Sequence, residues 1–255
     1  MNDDLLYRVE DEVAVITINR PHRANAIAPE TAAALHALVR KVEDDHAIRA
    51  AVLTASGSRI FCAGSDLKAK SDGAAPAVTE WGFAGFVKAP RAKPFVAAVN
   101  GIAVGGGFEL VLACDLAVAA GMAEFGLPEV RRGLVAGGGG LVRLPRLLPA
   151  ALANEILIAG RMLTAQEALR FGLINRIAPT GEVLTAALAL ARACAQGAPI
   201  AVRESLAVAR MSAGLDDPSL WQRAEQASAI VGATADGREG PRAFAEKRQP
   251  TWQNR

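Results

Sequence analysis

Residues 95–129 read FVAAVNGIAVGGGFELVLACDLAVAAGMAEFGLPE. The apolar run 95–99 predicts a buried strand, 101–107 a glycine-rich turn, and the residues from about Gly106 a helix. A second apolar strand follows at 116–119, and then a short segment closing on Pro128-Glu129. Two carboxylates, Glu109 and Glu129, sit within this stretch. Glu109 falls on the first turn of a helix otherwise built from Phe108, Leu110, Val111, Leu112 and Ala113. A carboxylate in such surroundings is costly to bury unless it is paired or does chemistry.

Working outward, 5–19 alternates on both sides of Asp11-Glu12 and predicts an antiparallel hairpin. Leu35, Leu38, Val39 and Val42 recur at helical spacing over 29–44, with Pro29 in the first turn. A short strand is expected at 51–54, then the loop SGSRIFCAGSDLKAK, and a helix over 78–87. Strand, loop, helix and strand in this succession imply α/β architecture with a parallel sheet. After Glu129 a glycine run feeds a helix, a further helix is read over 152–158, and Thr164–Glu167 forms a capping box ended by Gly172. A strand is expected at 173–178 and helices at 183–195, 200–211, 220–231 and 241–247. The chain therefore divides into a strand-and-helix core, 1–195, and a helical region, 196–255, whose apolar surface calls for a partner, either the core or another subunit.

A chain of 255 residues with 51% hydrophobic and 21% charged side chains can bury a sizeable core. A net charge of +2 with interspersed signs supplies no basic field for nucleic acid or anionic lipid. Cys62, Cys114 and Cys194 are odd in number and lie in apolar contexts, which reads as reduced thiols and a cytoplasmic setting. The opening MNDDLLYRVE lacks a signal-peptide layout, and Asn100, Glu109 and Asp115 interrupt the apolar run 95–121, so no membrane span is expected.

Several motifs fail on inspection. Gly105, Gly106 and Gly107 are followed by no third glycine in the dinucleotide frame, and there is no Gly-Lys-Ser/Thr. Ser65-Asp66-Leu67-Lys68 fits Ser-x-x-Lys but lacks the companion elements of serine acyl-enzymes. His22, His36 and His46 have no metal-ligand spacing and read as solvated positions. The turn at Gly105–Gly107 can aim a helix N-terminal N–H at a developing oxyanion, with CAGSDL as the source of a second donor. Close packing of helix on strand is the plainer account of such glycines.

Five segments in order resemble the crotonase (enoyl-CoA hydratase/isomerase) superfamily. RANAI at 23–27 is similar to its acyl-CoA-binding loop, and FCAGSDL at 61–67 to its first oxyanion segment. NGIAVGGGFEL at 100–110 resembles the second oxyanion segment, FGLPE at 125–129 the second catalytic segment, and GPRAFAEKR at 240–248 the closing helix. LPRLLP at 144–149, Asn154-Glu155 and the ending at 244–252 look most like the carnitinyl-CoA dehydratase (crotonobetainyl-CoA hydratase) branch.

The resemblance implies a spiral of repeated ββα units with a C-terminal helical trimerisation region, assembled as trimers or hexamers. It also implies that the N–H groups of Ser65 and Gly106 form the oxyanion hole. Glu109 and Glu129, twenty residues apart, would both be catalytic, adding water to a 2-enoyl-CoA or removing it from the 3-hydroxyacyl thioester. Around them, Arg23, Ala24, Ala26, Ala63, Gly64, Asp66, Leu67, Lys68, Val104, Gly105, Pro128, Gly137, Phe244 and Lys247 would contact acyl-CoA. Arg23 and Lys68 would meet its phosphates, and Lys247 would reach them from a neighbouring subunit. Coenzyme A would enter as part of the substrate, with no separate cofactor or metal. Ala136, where many hydratases carry proline, leaves acyl preference open, and Trp81 is the tryptophan expected near a cationic acyl group. Double-bond isomerisation by Glu129 alone, or acyl-CoA or RNA binding with little turnover, are the alternatives.

Overall fold

The computed structural model describes residues 3–66 and 75–255. The chain opens with the expected hairpin, β1 (Leu5–Glu10) against β2 (Val13–Ile18), paired antiparallel from Leu5 with Ile18 to Glu10 with Val13. β1 alternates between burial and solvent, whereas β2 is buried throughout because helix α1 (Pro29–Asp44) and later elements cover it. Helix α1 lays Leu35, Val39 and Val42 on the core.

From there the chain repeats one unit. β3 (Ala50–Ala55) runs in one sheet and β4 (Ile60–Cys62) in another. Next, β7 (Phe95–Val99) and β8 (Ile102–Val104) take the neighbouring places and lead into α2 (Gly106–Ala113). β9 (Leu116–Ala120) and β10 (Glu124–Gly126) take the next places again. The first sheet is ordered β1-β2-β3-β7-β9 and closed by β12 (Arg176–Ala178). The second is ordered β4-β8-β10 and closed antiparallel by β11 (Met162–Thr164). Within each sheet the 3-7-9 and 4-8-10 neighbours are parallel, so the backbone advances as a spiral of ββα turns. Parallel strands covered on both faces need uninterrupted apolar runs, and β3 and β7 are buried at every residue. At the first turn of α2, a Cβ on Gly107 would overlap the Cys62 carbonyl, so glycine alone permits this approach of helix to β4.

Helices α3 (Gly140–Leu147), α4 (Ala150–Ala159) and α5 (Ala165–Arg170) follow. The capping box is formed as read: Thr164 Oγ1 accepts from the Glu167 N–H while the Glu167 carboxylate accepts from the Thr164 N–H. Helix α6 (Val183–Ala195) packs Ala187, Leu188 and Ala191 on the first sheet. Helices α7 (Pro199–Met211), α8 (Asp217–Ala233) and α9 (Ala235–Ala245) complete the chain. They bury little beyond Pro199, Ala227, Asp236 and Ala243, and Arg210 ties α7 to the core through Asp115 at 2.6 Å. Among the described residues no single helix is long and apolar enough to cross a membrane.

Three local expectations are corrected. The helix read over 78–87 is a small hairpin, β5 (Val78–Thr79) and β6 (Gly82–Phe83), because Gly82, Ala84 and Gly85 all have positive φ, which a right-handed helix cannot accommodate. The strand read at 173–178 begins only at Arg176, since the Leu173 and Ile174 N–H groups turn back onto the Ala168 carbonyl. The last helix starts six residues earlier than Pro241, capped by Thr234 Oγ1, which accepts from the Gly237 N–H at 2.8 Å.

Candidate active site

Between the second sheet, the β5–β6 hairpin and the segment after β10 lies a cavity of about 950 Å³. Its lining brings together Ala63, Gly64, Ser65 and Asp66 from the loop after β4 with Val104, Gly105, Gly106 and Glu109 from the start of α2. Pro128, Glu129 and Gly137 complete the predicted set found there.

The two loops are held against each other by backbone chemistry. Ser65 bridges Ile27 in parallel register: the Ile27 N–H donates to Gly64 O at 2.8 Å and the Asp66 N–H to Ile27 O at 3.0 Å. Those bonds leave the Ser65 N–H on the side away from Ile27. Gly106 is the first residue of α2, whose opening N–H groups have no partner within the helix. A Cβ on Gly64 would sit 2.8 Å from the Gly106 nitrogen, which measures how closely the two donor loops approach. Gly105, at φ 57° and ψ −130°, makes the sharp entry into the helix, and its N–H donates to Gly126 O at 2.9 Å.

Glu109 is 4% exposed. Its Oε1 accepts from the Gly140 N–H at 2.9 Å, at the start of α3. Burial pushes its carboxyl above the ordinary value and the Glu129 charge adds to this, while the Gly140 and Gly138 N–H groups and Arg143 pull it back. Glu129 sits in the 3₁₀ turn Pro128–Arg132. Burial raises it also, against its own backbone N–H and Arg132. Its Oε2 is buried and has no hydrogen-bond partner among the described residues. A carboxylate oxygen left in that state is a reactive group or a cost without return.

Other predicted residues lie apart. Arg23 is exposed on the 3₁₀ turn Pro21–Arg23, and Ala24 and Ala26 flank the cavity without lining it. Ala24 O accepts from the Ala63 N–H at 3.1 Å, so that loop braces the first donor segment. Leu67 and Lys68 fall outside the described residues. Phe244, 87% exposed, and Lys247 belong to the C-terminal helical region and do not reach the cavity within one chain.

Two readings of single side chains change. His36 is not a solvated histidine: its ring stacks on Trp81 at 3.9 Å and its Nδ1 lies 2.9 Å from Thr79 Oγ1. Trp81 is thereby engaged outside the cavity, and Phe83 is the aromatic among the described lining residues. The sequence reading passed over Phe83, Gly138 and Gly140. A Cβ on Gly106 would lie 2.5 Å from the Phe83 ring, and one on Gly138 would overlap Glu109 Oε2. The run of four glycines was the available signal, legible as a turn but not as a cradle for a carboxylate. Cys62, beneath the first donor loop, is fully buried; its Sγ accepts from the Gly64 N–H at 3.4 Å, and burial pushes the thiol up to about 12.

Comparison with known proteins bears on this arrangement. A model of the enoyl-CoA hydratase/isomerase family matches residues 8–255. The carnitinyl-CoA dehydratase of Salmonella arizonae is 40% identical over 259 residues, 99% of each chain, and that of Proteus mirabilis 39% over 262 residues, the whole of both. Among solved structures, an enoyl-CoA hydratase from Mycobacterium tuberculosis superposes with a TM-score of 0.95 at 40% identity, covering both chains fully. A carnitinyl-CoA hydratase from Mycobacterium avium does so with a TM-score of 0.81 at 42% identity, again over both whole chains. With the ββα spiral and a match that runs nearly end to end, the chain belongs to the enoyl-CoA hydratase/isomerase family.

Proposed function

We propose that this protein is a hydro-lyase that adds water reversibly across the Cα=Cβ bond of a 2-enoyl-CoA thioester, with coenzyme A entering as part of the substrate. The observation that carries the reading is one cavity lined by a buried and a half-buried glutamate, both of raised proton affinity, and by two loops that each offer a backbone donor. In this reading the thioester oxygen lies between the N–H groups of Ser65 and Gly106. Attack at Cβ moves charge onto that oxygen, and losing one such preorganised donor costs about 3 kcal/mol of transition-state stabilisation. Glu109, oriented by the Gly140 N–H, takes the proton of the attacking water. Glu129 delivers a proton to Cα. One acid is neutral and one ionised at the start of a turn, a state shared by the pair, and dehydration follows the same path in reverse.

The identity to carnitinyl-CoA dehydratases extends the proposal to an acyl group bearing a trimethylammonium. Lys88 and Arg132 line the cavity and suit the coenzyme's phosphates. We further propose that 1–195 carries the site and that 196–255 meets neighbouring copies in a trimer or a pair of trimers, which would bring Phe244 and Lys247 to the coenzyme. The test follows loss of enoyl-thioester absorbance with crotonyl-CoA and crotonobetainyl-CoA. Glu109→Gln and Glu129→Gln are each expected to lower kcat by about 10²–10⁴-fold, the range of a positioned acid or base. Full activity in Glu109→Gln would instead indicate an isomerase working through Glu129 alone.

A further inference from the structure

Arg143, near the start of α3, is half-buried and lies outside the residues assigned to the chemistry. Its N–H donates to the Gly139 carbonyl at 2.8 Å, and its side chain folds back over the same residue. A Cβ on Gly139 would overlap Arg143 Nη1, so the guanidinium rests on bare backbone at the residue between Gly138 and Gly140. Those two glycines are the ones that touch Glu109. Gly140 donates its N–H to Oε1 at 2.9 Å, and Gly138 leaves no room for a methyl group beside Oε2. Arg143 Nη2 also donates to the Val87 carbonyl, on the segment that follows β6. Val87 lines the cavity together with Phe83, so one side chain joins the Glu109 cradle to a second part of the wall.

The two glutamates differ in their electrostatic surroundings. Burial works against the Arg143 charge, Arg146 and Arg210 repel it, and of the charges around it Glu109 does most to sustain it. The influence is mutual, since Arg143 and the N–H groups of Gly138 and Gly140 oppose the burial that raises Glu109, while Glu129 adds to that rise. The strands packed on α2, β4 and β8, carry no charged side chain, and Cys62 is held protonated. Glu80 of the hairpin is exposed beside His36, and Asp66, Lys88, Arg131 and Arg132 stand elsewhere along the cavity lining. For Glu129 the opposing cation is Arg132, which is exposed. A half-buried cation is screened less by water and salt than an exposed one. We infer that Arg143 is a positioning residue that fixes the division of labour between the glutamates: set behind the glycine cradle, it keeps Glu109 the carboxylate that takes the proton of water. The inference rests on the reading of Glu109 as the base. Without the cation the carboxylate binds its proton more tightly, so a higher pH is needed to empty it.

The experiment records kcat/KM for crotonyl-CoA hydration against pH in wild type, Arg143→Gln and Arg143→Lys. Arg143→Gln is expected to move the acid limb upward by about 1 pH unit, the low end for the loss of one nearby opposite charge. On that limb kcat/KM falls about tenfold, and the loss shrinks as pH rises. Arg143→Lys, which keeps a charge but not the planar fork, is expected to return the limb toward its wild-type position. A side chain that merely ties Val87 to α3 predicts a loss equal at every pH with the limb unmoved, and a lysine variant no better than glutamine. Either result overturns the inference. Should Arg143→Gln not fold, Arg143→Met, which keeps the packing of the stem, carries the same comparison with the same two outcomes. Full activity in Glu109→Gln defeats the reading of Glu109 as the base, and the inference with it. A limb that fails to move while Glu109→Gln is inactive defeats the inference alone.

Discussion

Gly138 shows how tightly one residue can govern the site. A methyl group there would overlap Glu109 Oε2, and the Gly140 N–H that orients Oε1 lies two residues on. Gly138→Ala is expected to displace the carboxylate and lower kcat by about 100-fold, the scale of a misplaced reacting group, with the far-ultraviolet circular dichroism unchanged. The glutamate itself is held at a cost to the fold. Burial raises its proton affinity above that of the unfolded chain, so its favourable contribution is present below the ordinary carboxylate range and is lost as pH rises through the raised folded-state value. Glu109→Gln, neutral at every pH and still able to accept from Gly140, is therefore expected to raise the melting temperature at pH 7. That advantage should vanish near pH 4, as scanning calorimetry at the two pH values would show. By the same reasoning the acid side of the wild-type kcat/KM profile should break above the range of a solvated glutamate.

Among the elements, the ones whose signals are local were legible from the residues alone. The helices at Pro29–Asp44 and Val183–Ala195 and the strand Phe95–Val99 fall where apolar spacing put them, and Thr164 to Glu167 forms the capping box its pattern announced. Thr164→Ala is expected to cost about 1 kcal/mol of stability with hydration activity intact, measured by denaturant unfolding. The β5–β6 hairpin was not legible, because Val78, Trp81 and Phe83 suit either structure and the deciding facts are the positive φ angles and the stack of Trp81 on His36. This hairpin carries Phe83 to the donor loop, and its hold on α1 is the His36 contact with Trp81 and Thr79. His36→Ala should loosen it, raising KM for crotonyl-CoA by about 3–10-fold, consistent with a stack worth roughly 1 kcal/mol. Of the cavity lining, Ser65, Gly106, Glu109 and Glu129 were legible through motif resemblance. The cradle of Gly138 and Gly140 around Glu109 was not, since it is a contact between segments distant in sequence.

For the whole molecule, the uneven distribution of burial is the informative property. The spiral fills its core with residues from β2, β3, β7 and β9, while the three last helices leave Trp221 70% exposed and Phe244 87% exposed. In the trimer reading proposed above, these side chains meet a neighbouring copy. Sedimentation of the wild-type chain is expected to give a concentration-dependent assembly. Trp221→Glu or Phe244→Asp should shift it toward the monomer, and Phe244→Asp should also raise KM if a neighbour's helix completes the coenzyme site.

Cys62 carries a consequence for chemical self-protection. A conjugated enoyl thioester is itself a soft electrophile, ready to alkylate any thiolate it meets, and this thiol lies two residues from the loop that would bind it. Burial holds the thiol near 12 and seals it from solvent, which keeps the sulfur in its protonated, unreactive form at neutral pH. Prolonged exposure to crotonyl-CoA should leave the mass of the intact protein unchanged at Cys62, so an enzyme that handles Michael acceptors can keep a cysteine under its reaction site without being consumed by its own substrate.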